Sequence, residues 1–249
     1  MYYNSNMLDT IIIITGILIL PAILFAIIAQ FRVMGAFNTY SQFSSMSGET
    51  GGSVARRLLD QNGCGHVKLE LSSGHLSDHY DPRTKTVRLS QDVFHSSSLA
   101  ALGVAAHEVG HAIQDHTGYT PLRLRNSIIR STSIVNTLLL PLIIIGFLGM
   151  FLAPGLISHE FFFWFIIALC VMYGISAVIN IVTLPTEYDA SRRAKRLLDE
   201  DGVIRDQEEK EGVAKVLNAA ALTYVASLVM SLVWFIRFLA IAIQIGRNR

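Results

Sequence analysis

Four long apolar stretches dominate the pattern of hydrophobic and polar positions. They cover about 10–29, 135–153, 161–184 and 217–245. Each reaches the roughly 20 residues that an α-helix needs to cross a hydrocarbon core of about 30 Å. The pattern therefore predicts a mostly α membrane protein with about four transmembrane helices in a lipid bilayer. The composition agrees, because 51% of the residues are hydrophobic and only 16% are charged, against about 25% in an ordinary soluble domain.

The first apolar stretch is predicted to be a permanent anchor within residues 1–31. Residues 1–9 contain no Lys or Arg, so the basic region of a signal peptide is missing. The residues that follow the stretch, Ala29-Gln30-Phe31-Arg32, also make a poor cleavage site.

The distribution of Lys and Arg predicts which side of the membrane the polar segments occupy. Residues 32–131 hold ten of the twenty basic residues and 184–216 hold seven, whereas the turn at 154–159 holds none. By the positive-inside rule, both polar segments are expected on the cytoplasmic side of a multi-pass cell-membrane protein. Arg237 inside the last stretch is costly in a bilayer, so that stretch could instead pack partly on the soluble domain. No dense basic cluster exists, so no nucleic-acid partner is predicted.

Two short runs before residue 90 alternate apolar and polar residues with a period of two, namely 66–71 and 85–89. The turn-forming residues Asp78-His79-Tyr80-Asp81-Pro82 lie between them. The pattern predicts a small β-hairpin. A second expectation is that the 85–89 strand is an edge along which an extended substrate could pair.

A helix is predicted over LAALGVAAHEVGHAIQDH, residues 99–116, with a serine cap before it and Gly118 as its stop. His107 and His111 lie one turn apart on one face and can share one metal ion, with Glu108 beside the first of them. This is the H-E-x-x-H arrangement, two zinc ligands and a base that takes a proton from metal-bound water. Two ordinary helix histidines are the alternative explanation.

A zinc site of this kind needs a third protein ligand. Pro185 and Thr186 resemble a helix start after the third apolar stretch, which would place Glu187 in the first turn of the next helix. The residues alone support two interpretations of Glu187 equally. It is either the third ligand or a carboxylate that caps a helix amino terminus.

Three segments, VAAHEVGHAIQ, LSDHYDP and LPTEYDASRRA, resemble the YugP-type membrane zinc peptidases, the neutral zinc metallopeptidase family. The resemblance runs over nearly the whole chain. It implies that His107, His111 and Glu187 bind Zn2+, that Glu108 is the catalytic base, and that the soluble part is a small α+β gluzincin-like zinc peptidase domain. The predicted segments are an anchor (1–31), a catalytic segment with the hairpin and the HExxH helix (32–131), a transmembrane hairpin (132–184), a third-ligand helix with a cytoplasmic segment (185–216) and a C-terminal hydrophobic helix (217–249).

A more distant similarity is to the HtpX-like membrane peptidases, which act in membrane protein quality control. They also place two transmembrane helices between HExxH and the glutamate ligand, and an aspartate usually follows that glutamate by four residues. This chain has Ser191 there. Asp189 is only two residues after Glu187, about 200° around a helix, so it is not expected to substitute. The residue that orients a ligand histidine is therefore left open by the sequence.

Other polar residues near these motifs each have two interpretations. His79 and Tyr80 could contact substrate, although a structural turn is favoured. Gln114 either supports a ligand or lies on the surface. Arg192 and Arg193 could stabilise an oxyanion, although a solvated basic run is favoured. Cys64 is expected to be an ordinary reduced cysteine.

Two functions from different classes account for these features. The first is a zinc endopeptidase that cleaves a polypeptide substrate, namely membrane or membrane-proximal proteins, with a role in membrane protein quality control. The alternative is a catalytically silent membrane scaffold that keeps zinc for structure. The intact Glu108 favours the peptidase, because a scaffold needs no base. A metal transporter is disfavoured, because the first two stretches contain no acidic residue or histidine.

Overall fold

The three short strands of this protein are close together in the sequence, and helices precede and follow them. The computed structural model describes residues 2–75, 77–152 and 158–247. The elements in chain order are α1 (Tyr2–Tyr40), α2 (Gly51–Gln61), β1 (Lys68–Ser72), β2 (His79–Asp81), β3 (Thr86–Ser90), α3 (Gln91–Phe94), α4 (Leu99–His116), α5 (Thr120–Leu152), α6 (His159–Glu200) and α7 (Gln207–Arg247). The predicted mostly helical fold with a small amount of strand is confirmed.

The chain divides into two compact units. The apolar unit contains Met1–Ile28, Arg125–Val182 and Tyr224–Arg249, and the mixed unit contains Ala29–Leu124 and Thr183–Thr223. The helices α1, α6 and α7 each contribute residues to both units. All three strands and the predicted HExxH helix belong to the mixed unit.

Three helices of the described chain, α1, α6 and α7, are long and apolar enough to cross a membrane. Large apolar side chains of α1 face outward, among them Ile13, Ile17 and Leu20, which are 62%, 67% and 64% exposed. So many exposed apolar side chains on one helix are expected in lipid and not in water. The predicted stretch at 135–153 falls on α5, where half of the side chains between 135 and 152, and residue 153, lie outside the described residues, so a fourth span stays a prediction.

Arg237 lies within α7 and makes a polar contact inside the apolar unit. Its Nη1 donates a hydrogen bond to the Ile12 carbonyl of α1 at 2.8 Å. A Cβ at position 16 would lie 2.7 Å from that nitrogen, so Gly16 leaves room for the guanidinium. This contact explains how an arginine is accommodated in an apolar stretch. The predicted stretch at 217–245 is part of the continuous helix α7. Residues 207–223 of this helix belong to the mixed unit, and the rest belongs to the apolar unit.

The three strands form a sheet in the order β1-β3-β2, with β1 parallel and β2 antiparallel to β3. The predicted hairpin between 66–71 and 85–89 is therefore wrong, because those two runs pair in parallel. The chain reverses after β2 instead. Asp81 accepts hydrogen bonds from the Arg83 amide and the Thr84 hydroxyl, and Lys85 adopts a φ of 51°. This tight turn pairs β3 with its immediate predecessor and leaves its other side for β1.

The central position of β3 also corrects the expectation that 85–89 is an edge strand. Both neighbours of β3 are occupied, and Thr86, Val87, Leu89 and Ser90 are all buried. The alternating run resembles a half-buried edge strand, but the actual strand is covered on both faces. The edges of this sheet are β1 and β2.

The core of the mixed unit surrounds α4, whose predicted bounds are confirmed. Ser98 caps the helix by accepting a hydrogen bond from the Ala101 amide, and Gly118 follows its end with a φ of 69°. Fourteen of the eighteen residues of α4 are buried, so the helix lies at the centre of its unit. Residues of α2, β3 and α7 pack in the same core, among them Val54, Leu58, Leu59, Val87, Leu89, Val213 and Leu217.

The helix α6 passes through Pro185 without ending. The expectation that Pro185 and Thr186 begin a helix is therefore wrong, and Glu187 lies well inside α6. A proline removes one backbone donor, a loss that a long apolar helix tolerates when neighbouring groups satisfy the freed carbonyl. The capping interpretation of Glu187 fails with the same observation, because no helix amino terminus is present at that position.

Candidate metal centre

Three potential ligand atoms converge between α4 and α6 inside the mixed unit. The Nε2 atoms of His107 and His111 lie 3.2 and 3.5 Å from the Glu187 Oε2 atom. These three side chains form a group that could hold a metal ion, with ligand atoms all within 4.8 Å of one another. Two imidazole nitrogens and one carboxylate oxygen are a donor set that suits zinc, and three protein ligands leave one tetrahedral position for water or substrate.

The absence of a side chain at Gly110 lets the backbones of α4 and α6 approach each other. A Cβ at this position would lie 2.8 Å from the Ala190 carbonyl oxygen. Gly110 precedes His111 and Ala190 lies three residues after Glu187, so the contact is within one turn of each ligand. The slim face of α4 therefore positions the glutamate of α6 opposite the two histidines.

Each of the two histidines has a partner on its other ring nitrogen. His111 Nδ1 lies 3.0 Å from Gln114 Oε1, and His107 Nδ1 lies 3.2 Å from Ser191 Oγ. Ser191 lies four residues after Glu187, where the resemblance to the HtpX-like peptidases predicts an aspartate, and its hydroxyl contacts His107. Asp189 does not contact either histidine and instead accepts a hydrogen bond from Gln114 Nε2 at 2.9 Å.

The Glu108 side chain is buried beside these ligands. Burial raises the pKa of Glu108 to about 7, with a contribution in the same direction from the charges of Glu187 and Asp78 and an opposing one from His107. Asp78 is held at the end of β3 by the amide and hydroxyl of Ser90. A carboxyl group with a pKa near neutrality can both accept and return a proton.

Comparison with known proteins agrees with this geometry. The family described as "Putative neutral zinc metallopeptidase" matches residues 15–243, nearly the whole chain. The chain belongs to this zinc metallopeptidase family. This metallopeptidase is also similar to the "Putative membrane protease YugP" of Bacillus subtilis (strain 168), with 41% identity over 221 residues that cover 88% of this chain and 92% of the relative. No solved structure matches it.

The family and the donor group together identify the metal of this metallopeptidase as Zn2+. The residues fit that ion, because two imidazole nitrogens and one carboxylate oxygen lie close together and each histidine has a partner on its other ring nitrogen. The sequence could suggest the two histidines from their spacing alone. The sequence leaves two interpretations of Gln114 open, and its contact with His111 lies within α4. The partner Ser191 needed the structure, because its contact with His107 depends on the packing of α4 against α6.

The other candidate residues have structural contacts. Tyr80 donates its hydroxyl proton to Asp115 Oδ2 at 2.6 Å, and burial raises the pKa of that phenol. The exposed His79 ring lies 2.8 Å from the Ser77 carbonyl. Arg193 donates to Asp189 at 2.6 Å. None of these contacts is to a potential ligand atom of the metal group. Gln114, in contrast, is fully buried and not a surface residue.

Proposed function

We propose that this chain is a zinc-dependent endopeptidase that hydrolyses peptide bonds of membrane or membrane-proximal proteins. In this proposal, His107, His111 and Glu187 are the zinc ligands and Glu108 is the general base. The observation that carries it is the convergence of the three ligand atoms within 4.8 Å, beside a buried carboxyl that is not one of them. A soluble part of gluzincin type and a role in membrane protein quality control belong to the same proposal.

The hydrolysis follows from the arrangement of the chain's own groups. Zinc, when bound, polarises the scissile carbonyl and makes water a better nucleophile at neutral pH. Glu108 takes a proton from the water that attacks the carbonyl carbon. The carbon–nitrogen bond then breaks, and Glu108 returns the proton to the leaving amine. The pKa of about 7 for the Glu108 carboxyl suits both transfers.

The catalytically silent scaffold is the competing proposal, and Glu108→Gln distinguishes the two. The amide has nearly the shape of the carboxyl but cannot take the proton, so casein digestion by the purified full-length protein should fall at least 100-fold. Zinc content after dialysis should stay at one ion per chain. Glu70→Gln is the matched control, because the Glu70 side chain is exposed on β1 and pairs with Arg88. It should digest casein at the wild-type rate.

The scaffold alternative gives a different result in the same assay. A wild-type protein that binds one zinc ion and digests casein no faster than Glu108→Gln would contradict the peptidase proposal. Removal of zinc with a chelator and its return to the protein separates a true zinc peptidase from a contaminating protease, because only the former loses and regains activity together with its metal.

A further inference from the structure

We propose that Gln114 is a positioning residue that fixes the tautomer and the ring orientation of His111, with Asp189 and Arg193 as its outer support. This inference rests on the proposed metal site. It adds a requirement for that site, namely a hydrogen-bonded connection from α6 through an amide side chain to a ligand histidine of α4.

The hydrogen bonds of Gln114 determine which way its amide points. The side chain is completely buried. Its Nε2 donates to the Thr186 carbonyl at 2.8 Å and to Asp189 Oδ2 at 2.9 Å. A carbonyl oxygen and a carboxylate oxygen are both acceptors, so the NH2 group must face them. The opposite orientation would bring three acceptor oxygens together. The amide oxygen is therefore left to face His111.

The orientation of the amide in turn determines the tautomer of His111. An amide oxygen only accepts, so the His111 Nδ1 atom at 3.0 Å must carry the hydrogen. The lone pair of the neutral ring is then on Nε2, which lies 3.5 Å from Glu187 Oε2, so two acceptors face one another where a metal ion could bind both. With the other tautomer, Nε2 would carry a hydrogen and could not bind a metal ion. Gln114 thus prepares the ligand nitrogen before the metal arrives.

The outer support of Gln114 comes from the same turn of α6 that carries Glu187. Thr186 precedes Glu187 and Asp189 follows it by two residues, so Gln114 contacts α6 on both sides of the glutamate. Asp189 is itself held by Arg193, whose Nε donates to it at 2.6 Å. A glutamine suits this position better than a glutamate, because a carboxylate could accept from His111 but could not donate to two oxygens of α6. The connection therefore couples the position of one ligand to the orientation of another.

Gln114→Met tests this role, because methionine keeps the length of the side chain and removes both hydrogen-bonding groups. Zinc affinity of the full-length protein, measured by competition with a chromophoric chelator, should weaken about 10–100-fold, the range found when outer partners of metal ligands are lost. Leu102→Ala is the control, because Leu102 is a buried core residue of the same helix that precedes His107, whereas Gln114 follows it. It should leave zinc affinity within about twofold of wild type, because the loss of packed side-chain atoms lowers the stability of the fold without removing a contact of the metal group.

The tautomer provides a readout that a loss of packing alone would not change. In metal-free protein with 15N-labelled histidine at about pH 8, the Nδ1 atom of His111 should carry a hydrogen in the wild type and in Leu102→Ala, because the amide oxygen of Gln114 accepts it. Its signals are identified by their loss in His111→Gln. In Gln114→Met, the Nδ1 atom has lost its acceptor while Nε2 still faces the Glu187 carboxylate, so the Nε2–H tautomer should gain population. Because the measurement needs neither zinc nor activity, it also separates this inference from the proposed function.

The outcomes that overturn the inference are specific. If Gln114→Met binds zinc within twofold of wild type and keeps the Nδ1–H tautomer at His111, Gln114 has no positioning role, even when the wild type digests casein. Should Gln114→Met not fold, Asp189→Leu decides, because the Asp189 side chain is partly exposed. Its zinc affinity should weaken several-fold, less than for Gln114→Met because the Thr186 carbonyl still holds the amide. Unchanged affinity there would overturn the inference.

Discussion

At the scale of single residues, every ring nitrogen of His107 and His111 has a partner. The Nε2 atoms point to the Glu187 carboxylate, and the Nδ1 atoms are engaged by a serine and by a glutamine. Neither partner carries a charge. A neutral partner adds less electron density to an imidazole than a carboxylate does, so the charge near the metal is expected to come chiefly from Glu187 and Glu108.

Replacement of the glutamate ligand tests the donor set at this scale. We expect Glu187→Gln to lose stoichiometric zinc on dialysis, because a neutral amide oxygen is a much weaker zinc ligand than a carboxylate. Metal analysis after dialysis gives the result directly. Glu200→Gln is the matched control at the exposed end of the same helix and should keep one zinc ion per chain. Full zinc retention at unchanged affinity in Glu187→Gln would show that the third ligand lies elsewhere.

At the scale of elements, the packing of α4 against α6 and against α7 involves a glycine of α4 at each contact. Gly110 faces the Ala190 backbone of α6, where a Cβ would lie 2.8 Å from a carbonyl oxygen. Gly103 faces α7, where a Cβ would meet Val213 Cγ1 at 3.4 Å, an ordinary contact. The two glycines of one helix thus differ in how much room they leave.

This difference in room predicts that a glycine-to-alanine substitution weakens zinc binding at position 110 and is tolerated at position 103. Gly110→Ala must push α4 away from α6, because a backbone carbonyl cannot turn aside as a flexible side chain can, and zinc affinity should fall at least tenfold. Gly103→Ala fits and gains helix propensity, up to about 1 kcal/mol, so it should bind zinc normally and unfold at an equal or higher temperature. Chelator competition and thermal unfolding measure both. Equal zinc affinities in the two variants would refute the close approach at Gly110.

At the scale of the whole molecule, the three proposed ligands come from two chain segments that are separated by the apolar region 125–182. The histidines precede this region and Glu187 follows it. Ligands that share one ion must lie in one compartment, so an even number of membrane crossings is required between them. The predicted pair of spans at 135–153 and 161–184 satisfies this requirement. The seventeen Lys and Arg residues of the two polar segments favour the cytoplasmic side for the site.

Cysteine labelling of intact cells tests this sidedness. Single cysteines are placed by Ser73→Cys, in the exposed loop after β1, and by His159→Cys, at the exposed start of α6. Both are made in a background without Cys64 and Cys170. These two native cysteines are buried, and burial raises the pKa of the Cys64 thiol. An impermeant thiol reagent should label position 159 from outside, and position 73 only after the membrane is broken.

Each other labelling pattern has its own meaning. Labelling at 73 alone from outside would reverse the orientation without affecting the zinc site. Labelling at both positions in intact cells would mean that the region between the ligands is not a spanning pair, and would remove the topological argument for Glu187. The background protein without cysteines is the control and should not be labelled under either condition.

The sequence by itself determined those features that depend on neighbouring residues. The bounds of α4 could be predicted from a serine cap and a glycine stop, because both are local signals. The pair His107 and His111 follows from helix geometry alone. Three apolar stretches are long enough to span a bilayer wherever they pack.

Tertiary structure decided what depends on distant partners. The strand runs were recognisable, but their parallel pairing through β3 was not, because a strand pattern does not say which neighbour accepts its hydrogen bonds. Pro185 looked like a helix start, yet α6 continues through it. The residues next to one proline do not decide whether a long helix tolerates the loss of a single backbone donor. The contact of Gln114 with Asp189 arises only where α4 meets α6, and a contact across 75 positions leaves no local trace in the sequence.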